Sequence, residues 1–347
     1  MKFVIRADAN SNIGQGHVMR CLSLADALCA GGHSCVFVTA KDSVVNMIER
    51  RGYKAFVLGT CYNDMESETG ELLKILEKEK AEVLIVDSYF VTKKYFDVLK
   101  GRIKTVYFDD VYSFAYNVDC LINYNIYADE EKYKDIYLTG KVKEPEFILG
   151  SKYAPLRKEF VREDDPEIKE IKNIMVSVGG ADPLHLALEF VKRFSAEEFL
   201  KDKKIKMVLG RMEPDIEEIK KTAEKEENID ILVDITNMKE IILKSDILIS
   251  AAGSTQYEIC ACARPCICFS MADNQVEGGK KFEELGAFIY AGDARNNETF
   301  FDDVINALKK LILNEDIARE MGKKAGEITD GRGAGRILNE LERIFGR

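Results

Sequence analysis

The feature that most constrains this chain is a rhythm. Short apolar, β-rich runs alternate with helical stretches from the first residue, the pattern of parallel sheets wrapped by helices, so the fold class is α/β. In the first half strands are predicted near Phe3–Arg6, Cys35–Thr39, Ala55–Leu58, Val83–Asp87, Thr105–Phe108 and Leu121–Asn123, with helices near His17–Ala30, Val44–Arg51, Glu71–Lys80 and Lys93–Lys100. Then the rhythm breaks. Residues 124–165 are rich in Tyr, Lys and Glu, end in Arg162-Glu163-Asp164-Asp165-Pro166, and are expected to form a loop-like linker. The rhythm restarts with strands near Asn173–Val178, Lys206–Leu209, Ile229–Val233, Asp246–Ser250, Cys266–Phe269 and Ala287–Tyr290. Helices are predicted near Leu184–Phe194, Ile216–Glu226, Met238–Lys244, Thr255–Ala263 and Val276–Leu285, and from Asp303 onward. A length of 347 residues suits two domains. We expect an N-terminal Rossmann-like domain over 1–160, a C-terminal one over 167–330, and a last helix within 331–347 that crosses back to the first. Doubly wound sheets bind ligands at the carboxyl ends of their strands, and two such ends can face a central cleft.

Composition narrows the partners. Lys plus Arg number 50 against 60 Asp plus Glu, a formal charge of -10, so no general attraction to nucleic acid or to an anionic membrane is expected. No run reaches the ~18 uncharged apolar residues of a membrane helix. The start, Met1 to Asp8, is too briefly apolar for a signal peptide. Nine cysteines without export signals argue for reduced thiols in a cytoplasm. Cys260, Cys262, Cys266 and Cys268 fall within nine residues, but their spacing fits no ordinary zinc knuckle and overlaps a helix, Pro265 and a strand, so buried structural thiols are expected and no metal.

Two turns carry the candidate chemistry. The segment Asp8-Ala9-Asn10-Ser11-Asn12-Ile13-Gly14-Gln15-Gly16-His17 joins the first strand to the first helix. Gly14 and Gly16 permit close backbone approach, and the N–H groups of a helix start favour an anion. The third glycine of a dinucleotide fingerprint is missing. His17, at a helix N-terminus that disfavours its protonated form, is a candidate general base, although a histidine could also merely close the turn. His33 is expected on a surface turn and His185 exposed on a first helical turn.

In the second half, Asp246-Ile-Leu-Ile-Ser-Ala-Ala-Gly253-Ser254-Thr255-Gln256-Tyr257-Glu258 runs strand, glycine turn, helix. That order aims N–H groups at a diphosphate, and Glu258, one turn beyond Ser254, can accept from ribose hydroxyls. Thr255-x-x-Glu258 is equally a capping box that needs no ligand. Asn274 and Gln275 follow the next strand and could bind sugar or phosphate, or Asn274 could cap a helix. In Gly179-Gly180-Ala181-Asp182-Pro183, capping accounts for Asp182 and Pro183 and leaves the paired glycines, which suggest close approach to a ligand or to the other domain. Asp109-Asp110, without a nearby third ligand, is expected to structure a loop rather than hold a metal.

Together these segments resemble the UDP-2,4-diacetamido-2,4,6-trideoxy-β-L-altropyranose hydrolase (PseG) family and its spore-coat polysaccharide relatives. The matching landmarks, in order, are Arg6-x-Asp8, Gly14-x-Gly16-His17-x-x-Arg20, Asp87-x-Tyr89, Asp109-Asp110, Leu149-Gly150-x-x-Tyr153-Ala-x-Leu156-Arg157, Gly179-Gly180-x-Asp182, Ser250-x-x-Gly253-Ser254-Thr255-x-x-Glu258 and Asn274-Gln275. Each alone is weak; the ordered set is specific. The resemblance implies a GT-B-type fold with UDP held mainly by the second domain, no cofactor, and hydrolysis of a UDP-activated diacetamido-trideoxy sugar. It implies His17 as catalytic base, Glu258 as a ribose ligand, Asn274 beside the active site and Tyr89 near the sugar. Gly14, Gly16, Arg20, Gly180, Gly253, Ser254, Thr255 and Gln275 complete the expected substrate-binding set. A GT-B glycosyltransferase using a UDP-sugar donor for envelope polysaccharide is the alternative.

Overall fold

A computed structural model describes residues 1–10, 13–138, 140–164, 170–180, 182–210 and 212–346. Ser11 and Asn12 of the glycine turn, Ala181, and Asp165 and Pro166 of the acidic stretch lie outside the described residues. In chain order the elements begin β1 (Lys2–Ala7), α1 (Gly16–Ala30), β2 (Ser34–Thr39), α2 (Val45–Arg50), β3 (Lys54–Val57), α3 (Thr69–Glu79), β4 (Val83–Asp87), α4 (Lys93–Leu99), β5 (Lys104–Phe108), β6 (Cys120–Asn123), α5 (Glu130–Tyr137) and β7 (Glu146–Leu149). They continue with β8 (Asn173–Ser177), α6 (Leu186–Ala196), β9 (Lys204–Leu209), α7 (Ile216–Ala223), β10 (Ile229–Val233), α8 (Met238–Leu243), β11 (Ile247–Ala251), α9 (Thr255–Ala261), β12 (Cys266–Ser270), α10 (Asp273–Glu284), β13 (Phe288–Asp293), α11 (Phe300–Leu313), α12 (Glu315–Ile328) and α13 (Gly333–Phe345). The chain forms two units, Met1–Lys158 with Arg332–Arg347, and Glu159–Gly331.

The first unit holds a parallel sheet ordered β3-β2-β1-β4-β5-β6-β7. Its central strand β4 is Val-Leu-Ile-Val-Asp with every residue buried, as a strand covered on both faces requires. β1 and β4 pair from Phe3↔Val83 to Ala7↔Asp87, and this is where the strand order reverses. One side of the sheet carries a core of Val4, Val36, Leu84, Val86, Phe96 and Tyr107 with their neighbours. At the chain's end α13 lies along α1. Its Leu338 fills the space a Cβ on Gly31 would need, and Glu342 accepts from or pairs with His33 Nε2 at 3.0 Å.

The second unit repeats the architecture as a parallel sheet ordered β10-β9-β8-β11-β12-β13, with its reversal between β8 and β11. Phe190, Phe269 and Phe300 meet edge to face or tilted at its core, with ring centroids 5.2–6.1 Å apart.

Three local expectations are corrected. Residues 124–165 are not a loop throughout, since they contain α5 and β7. Asp129 caps α5 by accepting from Glu131 N at 2.9 Å, and Tyr133 and Tyr137, one turn apart, bury the helix's inner face. β7 then extends the sheet from Cys120↔Glu146 to Asn123↔Leu149. Next, α6 begins at Leu186 rather than at Pro183. His185 is its N-cap in a left-handed conformation (φ 57°), and Asp182 caps at longer range, accepting from Ala187 N at 2.7 Å. Finally, His33 is mostly enclosed, packed edge-on against Phe3 as well as bonded to Glu342.

Candidate functional site

The β1–β4 reversal collects the first unit's candidate residues. Gly14 takes a left-handed conformation (φ 69°), its N–H donates to the Asn10 carbonyl at 2.9 Å, and Ile13 N–H donates to Asn10 Oδ1 at 3.2 Å. A Cβ on Gly14 or Gly16 would enter open space, so neither glycine is required by packing among the described residues. The backbone there is bare toward whatever occupies that space. Directly after Gly16, His17 is buried in the first turn of α1, with 6% of its surface exposed.

His17 does not face the helix start alone. Its Nδ1 lies 2.5 Å from Asp87 Oδ1 at the end of β4. A neutral ring therefore carries its proton on Nδ1, leaving Nε2 as the lone-pair nitrogen. This amends the expectation that the helix N-terminus sets the charge of the ring, because the nearest charged partner is a carboxylate. Arg20, one turn along α1, clamps the same carboxylate, with Nε 2.6 Å from Oδ2 and Nη2 2.6 Å from Oδ1. Burial pushes the Asp87 carboxyl up, but Arg20 and His17 outweigh it and hold the group well below the usual carboxylate range.

Arg20 was expected to bind substrate, yet its donors are directed inward. Beyond Asp87 it donates to Asp110 Oδ2 at 3.0 Å from both Nη atoms, and to Tyr124 Oη at 3.0 Å. Tyr89 is 37% exposed, donates to Asp110 Oδ2 at 3.1 Å, and sets its ring edge-on to the imidazole of His17 with centroids 4.6 Å apart. The pair Asp109-Asp110 thus divides its work. Asp109 structures the loop after β5, accepting from Val111 N, Tyr112 N, Tyr116 Oη and Tyr133 Oη. Asp110 belongs to the histidine cluster.

A second buried network anchors the start of the glycine turn. Arg6 on β1 makes a two-pronged pair with Glu68, Nε to Oε1 and Nη2 to Oε2 both at 2.7 Å, and both side chains are fully buried. Its third arm reaches Asp8 Oδ2 at 2.5 Å, and Asp8 Oδ1 accepts from Ala40 N at 2.7 Å after β2.

In the second unit the expected binding residues gather at the carboxyl ends of β8, β11 and β12. Gly253 and Ser254 form the turn after β11, Thr255 opens α9, and Glu258 lies one turn in. Ser254, not Thr255, occupies the N-cap, and its side chain makes no capping bond, so the Thr255–Glu258 capping box is not formed. A Cβ on Gly180 or Gly253 would again meet open space. Asn274 is the exposed second residue of α10, whose N-cap is Ala272, so it does not cap that helix. Gln275 turns back, its Oε1 accepting from Met271 N at 2.8 Å, and holds the loop rather than pointing outward. The first residue of α10, Asp273, is held by Arg295, which also grips Asp293.

Of the paired glycines after β8, Gly179 has an internal reason in its backbone conformation, and sequence reading missed a third glycine, Gly210, that packs against them. Gly179 is left-handed (φ 100°), and a Cβ on Gly210, at the end of β9, would collide with the backbone of Gly180. Gly210 lets two strand ends approach. A Gly210→Ala protein is expected to push the β8 turn aside and to destabilise the second unit by about 1–3 kcal/mol, as read by hydrogen exchange at the β8 and β9 amides. Unchanged exchange would mean that the two strand ends separate without cost.

Cys260, Cys262, Cys266 and Cys268 are all buried, and burial pushes their thiols up, that of Cys262 to about 12. They are protonated core residues. His185 is exposed and paired with Asp215. Among the described residues no helix is long and apolar enough to cross a membrane.

Residues 157–334 match the glycosyltransferase family 28 C-terminal domain, a little over half of the chain. The chain belongs to that family. It also stands with the PseG group that its motifs resemble. It is 27% identical to the UDP-2,4-diacetamido-2,4,6-trideoxy-β-L-altropyranose hydrolase of Campylobacter jejuni, over 73% of this chain and 86% of that one. Identity to the spore coat polysaccharide biosynthesis protein SpsG of Bacillus subtilis is 25%, over 98% of each chain. A 28% match to the uncharacterized protein MJ1062 of Methanocaldococcus jannaschii covers 74% of this chain and 53% of that one, so the chain spans about half that relative's length. Among solved structures, Acinetobacter baumannii MurG superposes with a TM-score of 0.69 at 13% identity, over 99% of both chains, and establishes the GT-B fold.

Proposed function

We propose that the protein is a UDP-sugar hydrolase that releases UDP and 2,4-diacetamido-2,4,6-trideoxy-L-altrose, in pseudaminic acid or related surface-glycan biosynthesis. The observation that carries this reading is the His17–Asp87 pair at the β1–β4 reversal, which leaves Nε2 as a buried, oriented base beside bare glycine backbone. The names of the Campylobacter jejuni and Helicobacter pylori relatives supply the sugar.

In the proposed reaction the turn after β11 and the start of α9 hold the UDP diphosphate, and Glu258 takes the ribose hydroxyls. Water attacks the anomeric carbon on the face opposite UDP. Its proton passes to His17 Nε2, the new C–O bond forms, and the bond from the anomeric carbon to the phosphate oxygen breaks. UDP leaves with the electron pair, and the anomeric configuration inverts. The Asp87 carboxylate stabilises the imidazolium that results, as an orienting carboxylate does in other His-dependent hydrolases. The leaving diphosphate needs stabilisation of charge more than a proton, which oriented backbone N–H groups provide without a divalent ion.

The deciding experiment is mass spectrometry of products from a panel of UDP-diacetamido sugars in ¹⁸O water, with EDTA and no acceptor. Label in the free sugar with unlabelled UDP is the expected outcome. Loss of turnover in EDTA, restored by magnesium, would overturn metal independence. The family 28 match favours one other reading, a glycosyltransferase in which His17 deprotonates an acceptor hydroxyl. Binding of UDP without any release of it from these sugars would move the case there.

A further inference from the structure

We propose that Asp110 is a positioning residue for His17, acting through two arms: Arg20, which fixes Asp87, and Tyr89, which fixes the imidazole edge. Its kinetic consequences rest on the hydrolase reading above; its structural consequence does not.

Asp110 follows β5, two strands away from β1 in the sheet, and lies 90 residues from Arg20 in the chain. Its carboxylate is almost fully enclosed and receives five contacts from four donor atoms. Oδ2 takes both Nη groups of Arg20 at 3.0 Å and the Tyr89 hydroxyl at 3.1 Å, and Oδ1 takes Arg20 Nη1 at 3.2 Å and Asn125 Nδ2 at 2.8 Å. A loop-structuring aspartate would instead look like its neighbour Asp109, bonded to the backbone of its own loop. Asp110 accepts from the side chains of α1, of the segment after β4 and of the segment after β6. Among the described residues its side-chain oxygens bond these side chains and not the N–H groups of the turn it sits in.

The electrostatic surroundings of His17 follow from this. Asp87 faces Nδ1 from β4, Arg20 Nη2 lies 3.3 Å from the same nitrogen on α1, and Tyr89 covers the ring edge. Behind them Cys21 contacts Asp87 at 3.5 Å, and Tyr124, Asn125 and Asp110 close the cluster. Arg20 is shared between two carboxylates. Without the Asp110 charge the guanidinium would lean on Asp87 alone and weaken its hold on the imidazole. The Tyr89 ring would also lose the anchor that keeps it against His17.

The chain has only three histidines, so the ring signals of His17 can be followed by NMR and assigned by their loss in the His17→Asn protein. In a folded Asp110→Asn protein the titration midpoint of His17 is expected about half a pH unit below that of the unaltered protein, because an anion that favours the imidazolium has been removed. The acid limb of kcat/KM should move down with it, kcat falling about tenfold while KM stays within about twofold. A moved midpoint in a protein whose unaltered form hydrolyses no UDP-sugar would uphold the positioning role and reject the hydrolase reading. An unmoved midpoint in the folded variant would overturn the proposal. If Asp110→Asn does not fold, Tyr89→Phe tests the second arm: the His17 ring resonances should shift as the phenyl ring leaves its edge, and unchanged resonances would overturn it.

Discussion

A His17→Asn protein is expected to bind UDP normally and to turn over about 100- to 10,000-fold more slowly, the range that one positioned general base contributes. Asparagine suits the test because its amide can still donate to Asp87 Oδ1, the group that Nδ1 contacts at 2.5 Å. The buried carboxylate therefore keeps a partner, and the loss reports the missing Nε2 rather than an orphaned charge. In the proposed arrangement the nucleotide is held at the strand ends of the second unit, so the UDP dissociation constant from calorimetry should change by less than about threefold. The loss should fall on kcat, since the base acts in the transition state and not in binding. Turnover at the unaltered rate would remove His17 from the chemistry. Equal loss of UDP affinity and turnover would make it a binding residue.

The second large effect is on stability. A Glu68→Ala protein should lose about 3 kcal/mol or more in the first unit, because Arg6 would keep a buried charge with only Asp8 to meet it. Burial by itself would weaken the Arg6 guanidinium, and Glu68 with Asp8 more than offsets it, holding the group above its ordinary value. The milder Tyr95→Phe change, which removes only the hydroxyl bond to Glu68 at 3.2 Å, should cost about 1 kcal/mol. A chain with two folding units need not unfold in one step, so hydrogen exchange at the β1 and β4 amides is the suitable readout. A loss under about 1 kcal/mol for Glu68→Ala would show that water enters and solvates Arg6. The change should also slacken the glycine turn, since the same Arg6 holds Asp8, where that turn begins.

Much of the architecture was legible because its signals are local. β4 and β11 are runs of Val, Ile and Leu buried on both faces, and such runs end where Asp, Ser or Gly takes over. The segment around α5 was misread for the converse reason. Its inner face is built from Tyr133 and Tyr137, whose hydroxyls bond Asp109 and the Tyr116 carbonyl, so the helix buries residues that composition counts as loop-like. The candidate site was legible in part. Gly14, Gly16 and His17 announce themselves within four residues, whereas the partner of His17 lies 70 residues away and is brought alongside only because β1 and β4 are neighbours. Strand order is a property of the whole sheet, which no spacing along the chain expresses. For the same reason Asp110 and Asp109 look alike in sequence and differ in what they hold. The capping-box and N-cap readings at Thr255, Asn274 and Asp182 failed by one to three residues, the scale on which helix starts are decided by turn geometry.

The first unit is closed by α13, the last helix of the chain, while the second unit is one uninterrupted stretch. Protein synthesis runs from the amino end, and domains generally fold as units while the chain emerges. The seven-stranded sheet therefore leaves the ribosome long before the helix that packs on α1, and waits through the synthesis of some 170 residues with Gly31 and His33 short of their final partners, Leu338 and Glu342. The second unit has no such wait. The half that was begun first is the half that is finished last.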